Sequence, residues 1–153
     1  MSRKIIFLDV DGVLNSEEFA RWLWDNHEKK YRGYEMLDQK AILNLQDIVF
    51  ITGAEIVLSS SWRISTTRTK QLKEQLLPYG LTIIDRTISD ARGDRGEEIK
   101  EWLSRHPEVD HFVILDDDFD MIGLEDHFIK TTFAKGLLPE HAAKAIEMLT
   151  AKN

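Results

Sequence analysis

The chain has 153 residues, 42% hydrophobic and 31% charged, with no cysteine and a formal charge of −7, which together predict one soluble domain with a full core. Disulfide and thiolate chemistry are excluded, and the negative charge disfavours broad non-specific nucleic-acid binding while leaving room for a local basic groove. Apolar runs are too short for a membrane span or for the core of a signal peptide, so a cytoplasmic protein is expected.

The first element is the run Ile5-Ile6-Phe7-Leu8, apolar without alternation, as in a strand of a parallel sheet covered on both faces. It stops at two carboxylates one residue apart, Asp9 and Asp11, with Gly12 allowing a tight turn directly after them. The stretch Ser16 to Glu35 is rich in aromatic and charged residues; Phe19, Trp22 and Leu23 recur at helical spacing, and Tyr31 to Tyr34 reads as a loop. Asp38 is placed to cap a helix with an Ala41, Leu45, Ile48, Val49 stripe ending near Gly53.

A second strand over Glu55 to Leu58 runs into Ser59-Ser60-Ser61-Trp62-Arg63. A helix from about Thr66 to Leu77 follows, and Leu81 to Ile84 reads as a short third strand. The next helix, opening at Arg95, buries Ile99, Trp102 and Leu103 and ends at His106-Pro107. His111 to Leu115 is a fourth strand, again running into acids at Asp116, Asp117 and Asp118. His127 to Thr131 is a fifth strand, and Pro139 to Lys152 a closing helix with Ala142, Ile146 and Leu149 inward. Strands alternating with helices imply one doubly wound, three-layer α/β/α domain with a mostly parallel sheet.

Asp9 and Asp11, Ser59, and Asp116 with Asp117 thus arrive at one edge of that sheet. Each set has a plainer explanation alone: strand-end aspartates cap helices, Ser59 to Ser61 suit a turn and N-cap, and Asp116 to Asp118 suit a solvated loop. Their agreement in position favours a functional site, because open α/β sheets carry their chemistry at the C-terminal ends of the strands. Carboxylates so close together need a cation, and oxygen donors without His or Cys suit Mg²⁺. The spacing does not fit an EF-hand loop. A metal beside a free carboxylate points to phosphoryl transfer, with the carboxylate as nucleophile and a second acid handling the leaving-group proton.

These residues resemble the haloacid dehalogenase-like (HAD) phosphatases over essentially the whole chain, with four motifs in order. Phe7-Leu8-Asp9-Val10-Asp11-Gly12 resembles the first. The resemblance implies that Asp9 is the nucleophile and a Mg²⁺ ligand, and that Asp11 is the general acid and then base, with its backbone carbonyl on the metal. Val57-Leu58-Ser59 resembles the second motif, whose hydroxyl binds the phosphoryl group, and Ser60 lies beside it. Arg95-Gly96 stands where the third motif usually has lysine; arginine still neutralises phosphate and adds a fork geometry. Lys100 is a weaker substitute one turn on. Ile114-Leu115-Asp116-Asp117 resembles the fourth motif, which supplies metal ligands; the paired version gives Asp116 and Asp117, and the spaced version Asp116 and Asp120.

More narrowly, LDVDGVLN, VLSSSWR, RGEEIKEWL and ILDDDFDM are similar to the HAD domain of Swiss Army Knife type RNA repair proteins, which implies trimming of phosphates at nucleic-acid ends. The fold expected is a HAD-like Rossmannoid of about five strands spanning 1–153. The segment 15–37 is then a short flap, too short for a full cap. An open site of that kind favours bulky substrates. Lys29, Lys30, Tyr31, Arg32 and Tyr34 could track phosphates and stack bases, or form a solvated amphipathic flap. Trp22 and Trp24 are packing residues or a stacking platform, and Arg63 touches phosphate or pairs with nearby acids. Trp62 and Trp102 are expected in the core, and the histidines are structural. The alternatives are a small nucleotide or sugar phosphate as substrate, a receiver-type phosphate-accepting module, or a silent binding domain. Against the receiver, its acidic pair would follow the first strand, whereas here the pair follows the fourth. No stable partner is expected and the chain should be a monomer.

Overall fold

The computed structural model describes residues 3–26, 35–89, 92–118 and 121–152. Its five-stranded sheet comprises β1 (Arg3–Leu8), β2 (Glu55–Leu58), β3 (Ile83–Arg86), β4 (Val109–Asp116) and β5 (Phe128–Lys130), in the order β3-β2-β1-β4-β5. All neighbouring pairs are parallel. The helices are α1 (Glu17–Asn26), α2 (Gln39–Thr52), α3 (Thr66–Leu76), α4 (Arg95–Ser104) and α5 (Pro139–Thr150).

Alternation along the strands divides the core into two layers. Ile6, Leu8, Ile56, Leu58, Val113 and Leu115 pack with Ala41 and Leu45 of α2, Leu72 of α3 and Ala145 and Leu149 of α5. Ile5, Phe7, Val57 and Ile114 pack on the opposite face with Ile99 and Trp102 of α4 and with Met121 and Leu124. Both faces are covered by packed apolar side chains, which explains the unbroken apolar runs. The chain steps from β1 outward through β2 to β3, then returns to the far side of β1 with β4. The crevice beyond the ends of β1 and β4 is therefore the switch point where doubly wound sheets bind ligands.

Local signals set most boundaries. Asp38 accepts from the Lys40 N–H at the start of α2, and Asp94 accepts from the Glu97 N–H at the start of α4. The third strand lies at Ile83–Arg86 rather than Leu81 to Ile84. It is an edge strand, so its polar end is tolerated: Asp85 accepts the Trp102 indole N–H at 2.8 Å and Arg86 donates to the Arg63 carbonyl at 3.2 Å. Trp62 and Trp102 are buried, as expected. His106 stacks on Trp102, His127 stacks on Phe112, and His141 accepts the Leu138 N–H, all away from the sheet edge that carries the acids.

Of the expected flap, α1 is described and residues 27–34, with the basic and aromatic run, lie outside the described residues. Ser16 caps α1 by accepting from the Phe19 N–H, and the Glu17 and Glu18 N–H groups donate to the carbonyls of Phe133 and Ala134. Trp22 is half exposed and stacks on Phe19. No helix among the described residues is long and apolar enough to cross a membrane.

Candidate active site

The strand ladders continue one step past the strand ends. The Asp9 N–H bonds to the Leu115 carbonyl at 3.0 Å, Ser59 to Leu8 at 2.8 Å, Thr87 to Leu58 at 3.0 Å and Thr131 to Asp116 at 3.0 Å. Alternation then decides which way each side chain points. Asp9, Ser59 and Asp116 each sit two residues after a side chain on the α4 face (Phe7, Val57 and Ile114), so all three project on that side of the sheet. Asp9, Ser59 and Asp116 are buried at adjoining strand ends.

Arg95, the first residue of α4, enters from the same face. Its Nη1 lies 3.6 Å from Asp9 Oδ1 and 3.7 Å from Asp116 Oδ2, and its Nε lies 3.7 Å from Glu98 Oε1. These are ion-pair distances longer than hydrogen bonds. Lys100 pairs with Glu97 at 3.1 Å, so of the two cations Arg95 is the one aimed at Asp9.

Ligand atoms of Asp9, Asp116 and Asp117 fall within 4.8 Å of one another. Burial, the largest cause, and the Asp116 charge push the Asp9 carboxyl up, against the pull of Arg95. The Asp116 carboxyl is likewise raised, chiefly by burial. Asp116 Oδ1 accepts from the Asp118 N–H at 3.0 Å, while its Oδ2 is buried with no hydrogen-bond donor. A hard divalent cation fits this set: it is all oxygen, crowded and short of donors. Asp120, the other ligand choice, lies outside the described residues.

Gly12 makes this approach possible. Its φ is +80°, and a Cβ there would stand 2.3 Å from Asp117 Oδ2. Asp11 stands apart from the metal-type group: its Oδ1 accepts from Asn15 Nδ2 at 2.8 Å and from Trp62 Nε1 at 3.1 Å.

The phosphate-side residues divide. Ser59 Oγ and Arg95 Nη1 are buried with no hydrogen-bond partner, as befits groups that bind something else. Ser60, by contrast, caps a 3₁₀ turn by accepting from the Trp62 N–H. Arg63 is buried, with Nη2 donating to Glu98 Oε2 at 2.8 Å and Nη1 to the Ser60 carbonyl at 2.6 Å. Of its two readings, the structure displays the pairing with an acid. The reason is packing: the 3₁₀ turn over Ser61–Ile64 turns the guanidinium inward toward α4. The sequence reading did not single out Asn15, Glu98 or Thr87, whose buried hydroxyl also lacks a partner beside Ser59. Of these, Glu98 alone left a signal, three residues after Arg95.

A family model described as the HAD domain in Swiss Army Knife RNA repair proteins matches residues 5–142, from β1 into α5. The chain belongs to this family. No curated protein and no solved structure matches it. Membership accounts for the all-parallel Rossmann-like sheet and gives the chain a HAD domain of phosphatase type.

Proposed function

We propose that the chain is a Mg²⁺-dependent phosphomonoesterase working through a phosphorylated Asp9, with terminal phosphates of RNA or DNA as its substrate class. One observation carries the reading: Ser59 Oγ, Arg95 Nη1 and Asp116 Oδ2 are buried without hydrogen-bond partners at the strand ends that carry Asp9, with Arg95 Nη1 3.6 Å from its carboxylate. Two are donors suited to phosphoryl oxygens, and the third is an acceptor suited to a cation. Asp9, Asp116 and Asp117 would hold Mg²⁺, joined by the Asp11 backbone carbonyl. When bound, the ion neutralises charge on the phosphoryl group.

The chain's own residues do the rest. Arg95 and Ser59 hold the phosphoryl oxygens and turn phosphorus toward Asp9. An Asp9 oxygen attacks, forming a P–O bond as the ester P–O bond breaks, and the leaving oxygen takes a proton from Asp11. Asp11, now a carboxylate, takes a proton from water as that water attacks the aspartyl-phosphate, releasing phosphate and restoring both acids. The nucleic-acid part of the reading is supported by the family description and by the shortness of the segment between β1 and α2.

Asp9→Asn tests the mechanism. The variant should still melt cooperatively as a folded chain and lose turnover of 4-nitrophenyl phosphate, and undiminished hydrolysis would refute it. Phosphate release from 3′- and 5′-phosphorylated oligonucleotides, against a panel of nucleotides and sugar phosphates with Mg²⁺ or EDTA, tests the substrate class. Preference for the metabolites would remove the nucleic-acid reading.

A further inference from the structure

Asp11 is gripped by residues that the catalytic motifs do not include. Asn15 Nδ2 and Trp62 Nε1 both donate to the same oxygen, Oδ1, at 2.8 Å and 3.1 Å. Each donor is itself immobilised. Asn15 is buried, and its Oδ1 accepts the Gly12 N–H at 2.9 Å, so its amide cannot flip without breaking that bond. Trp62 is buried, its own N–H is held by Ser60 Oγ, its carbonyl accepts from Thr69 Oγ1 at 3.0 Å, and Arg68 lies over its ring.

We propose that Asn15 and Trp62 are positioning residues that dedicate Asp11 Oδ1 to holding the carboxyl group and leave Oδ2 as the oxygen that exchanges protons with the leaving group. The inference rests on the phosphatase reading and extends it. An oxygen that already receives two N–H hydrogens has no room for a proton of its own, so the carboxyl O–H sits on Oδ2. As the ester P–O bond breaks, the leaving oxygen takes that proton and the O–H electron pair stays on Oδ2. The carboxylate so formed is a stronger acceptor than the acid was. The two N–H bonds therefore tighten as the reaction proceeds, which is differential stabilisation and not mere anchoring. The price is fixed in advance by packing, because neither donor has to reorient.

Leaving-group dependence isolates this role. Proton donation matters for a poor leaving group such as phenolate and hardly at all for dinitrophenolate. In Trp62→Phe, which removes the N–H and keeps an aromatic ring, kcat/KM on phenyl phosphate, which reports the phosphoryl-transfer step and not the later hydrolysis of the aspartyl-phosphate, should fall about 10–100-fold. On dinitrophenyl phosphate it should stay within about 3-fold, by the same reasoning. Asn15→Leu removes the donor to Asp11, together with the acceptor for Gly12, and adds no charge; it should steepen the same series, and it serves if Trp62→Phe does not fold. Parallel losses on both substrates, or no loss on either, overturn the proposal. A wild-type chain that hydrolyses neither aryl phosphate refutes the phosphatase reading itself, a result distinct from either.

Discussion

Replacing glycine by alanine at two positions separates backbone strain from ligand crowding. Gly12 and Gly53 have nearly the same backbone, with φ of +80° and +74°. They differ in surroundings: a Cβ at Gly53 meets nothing within 4 Å, whereas one at Gly12 meets Asp117 Oδ2 at 2.3 Å and its Cγ at 2.6 Å. Left-handed backbone costs an L-residue roughly 1–2 kcal/mol. For a chain of this size that is about 2–8 °C in Tm. Gly53→Ala should show this loss alone, with Mg²⁺ affinity and turnover unchanged. Gly12→Ala carries the same strain and must also push the Asp117 carboxylate out of place. Disturbing what holds a metal ligand costs about 10–100-fold in affinity, so Mg²⁺ binding should weaken by at least about 10-fold. Thermal melts with and without Mg²⁺, paired with calorimetric titration, read both quantities. Equal Tm losses with wild-type Mg²⁺ affinity in Gly12→Ala would show that the approach of Asp117 is not what requires glycine.

Stability of the metal-free chain should depend on pH through the crowded acids. Asp9 is pushed up to about 8 and Asp116 to about 6, burial being the first cause of each. The unfolded chain releases both protons in the ordinary carboxylate range, so above it the folded chain holds more protons and Tm should fall as pH rises toward 8. Mg²⁺ must displace those protons, so its stabilising effect should grow between pH 6 and 8, and a Mg²⁺ increment that shrinks over that range would contradict the site. Glu98→Gln leaves the buried Arg63 charge unpaired and should cost about 3–5 kcal/mol by urea denaturation, while Arg63→Met with Glu98→Met together should recover most of it. A single variant as stable as wild type would show that the pair is not desolvated.

What could be read from the chain follows from where the information lies. Apolar runs ending in acids are local, so β1, β2 and β4 and the placement of Asp9, Ser59 and Asp116 on one edge were legible. Edge strand β3 was read two residues early because its pairing uses Asp85 and Arg86, which look like loop. The grip on Asp11 was invisible, since the Trp62 indole reaches it across 51 positions in sequence. Arg63 stayed ambiguous for the same reason: its inward turn depends on Glu98, 35 positions away.

The turn that carries Asp11 and Gly12 has a further dependence. Thr131 Oγ1 donates to the Gly12 carbonyl across 119 positions, and the Leu137 N–H donates to the Val13 carbonyl. The first loop of the chain is therefore seated by some of its last residues. During synthesis β1 can pair with β2 early, but its catalytic turn lacks these two bonds until β5 and the segment after it have emerged. Such long closures are slow to form. A nascent or truncated chain ending before Thr131 would carry every motif acid but lack these two bonds to the turn that bears Asp11, so its affinity for Mg²⁺ should fall below that of the longer chain.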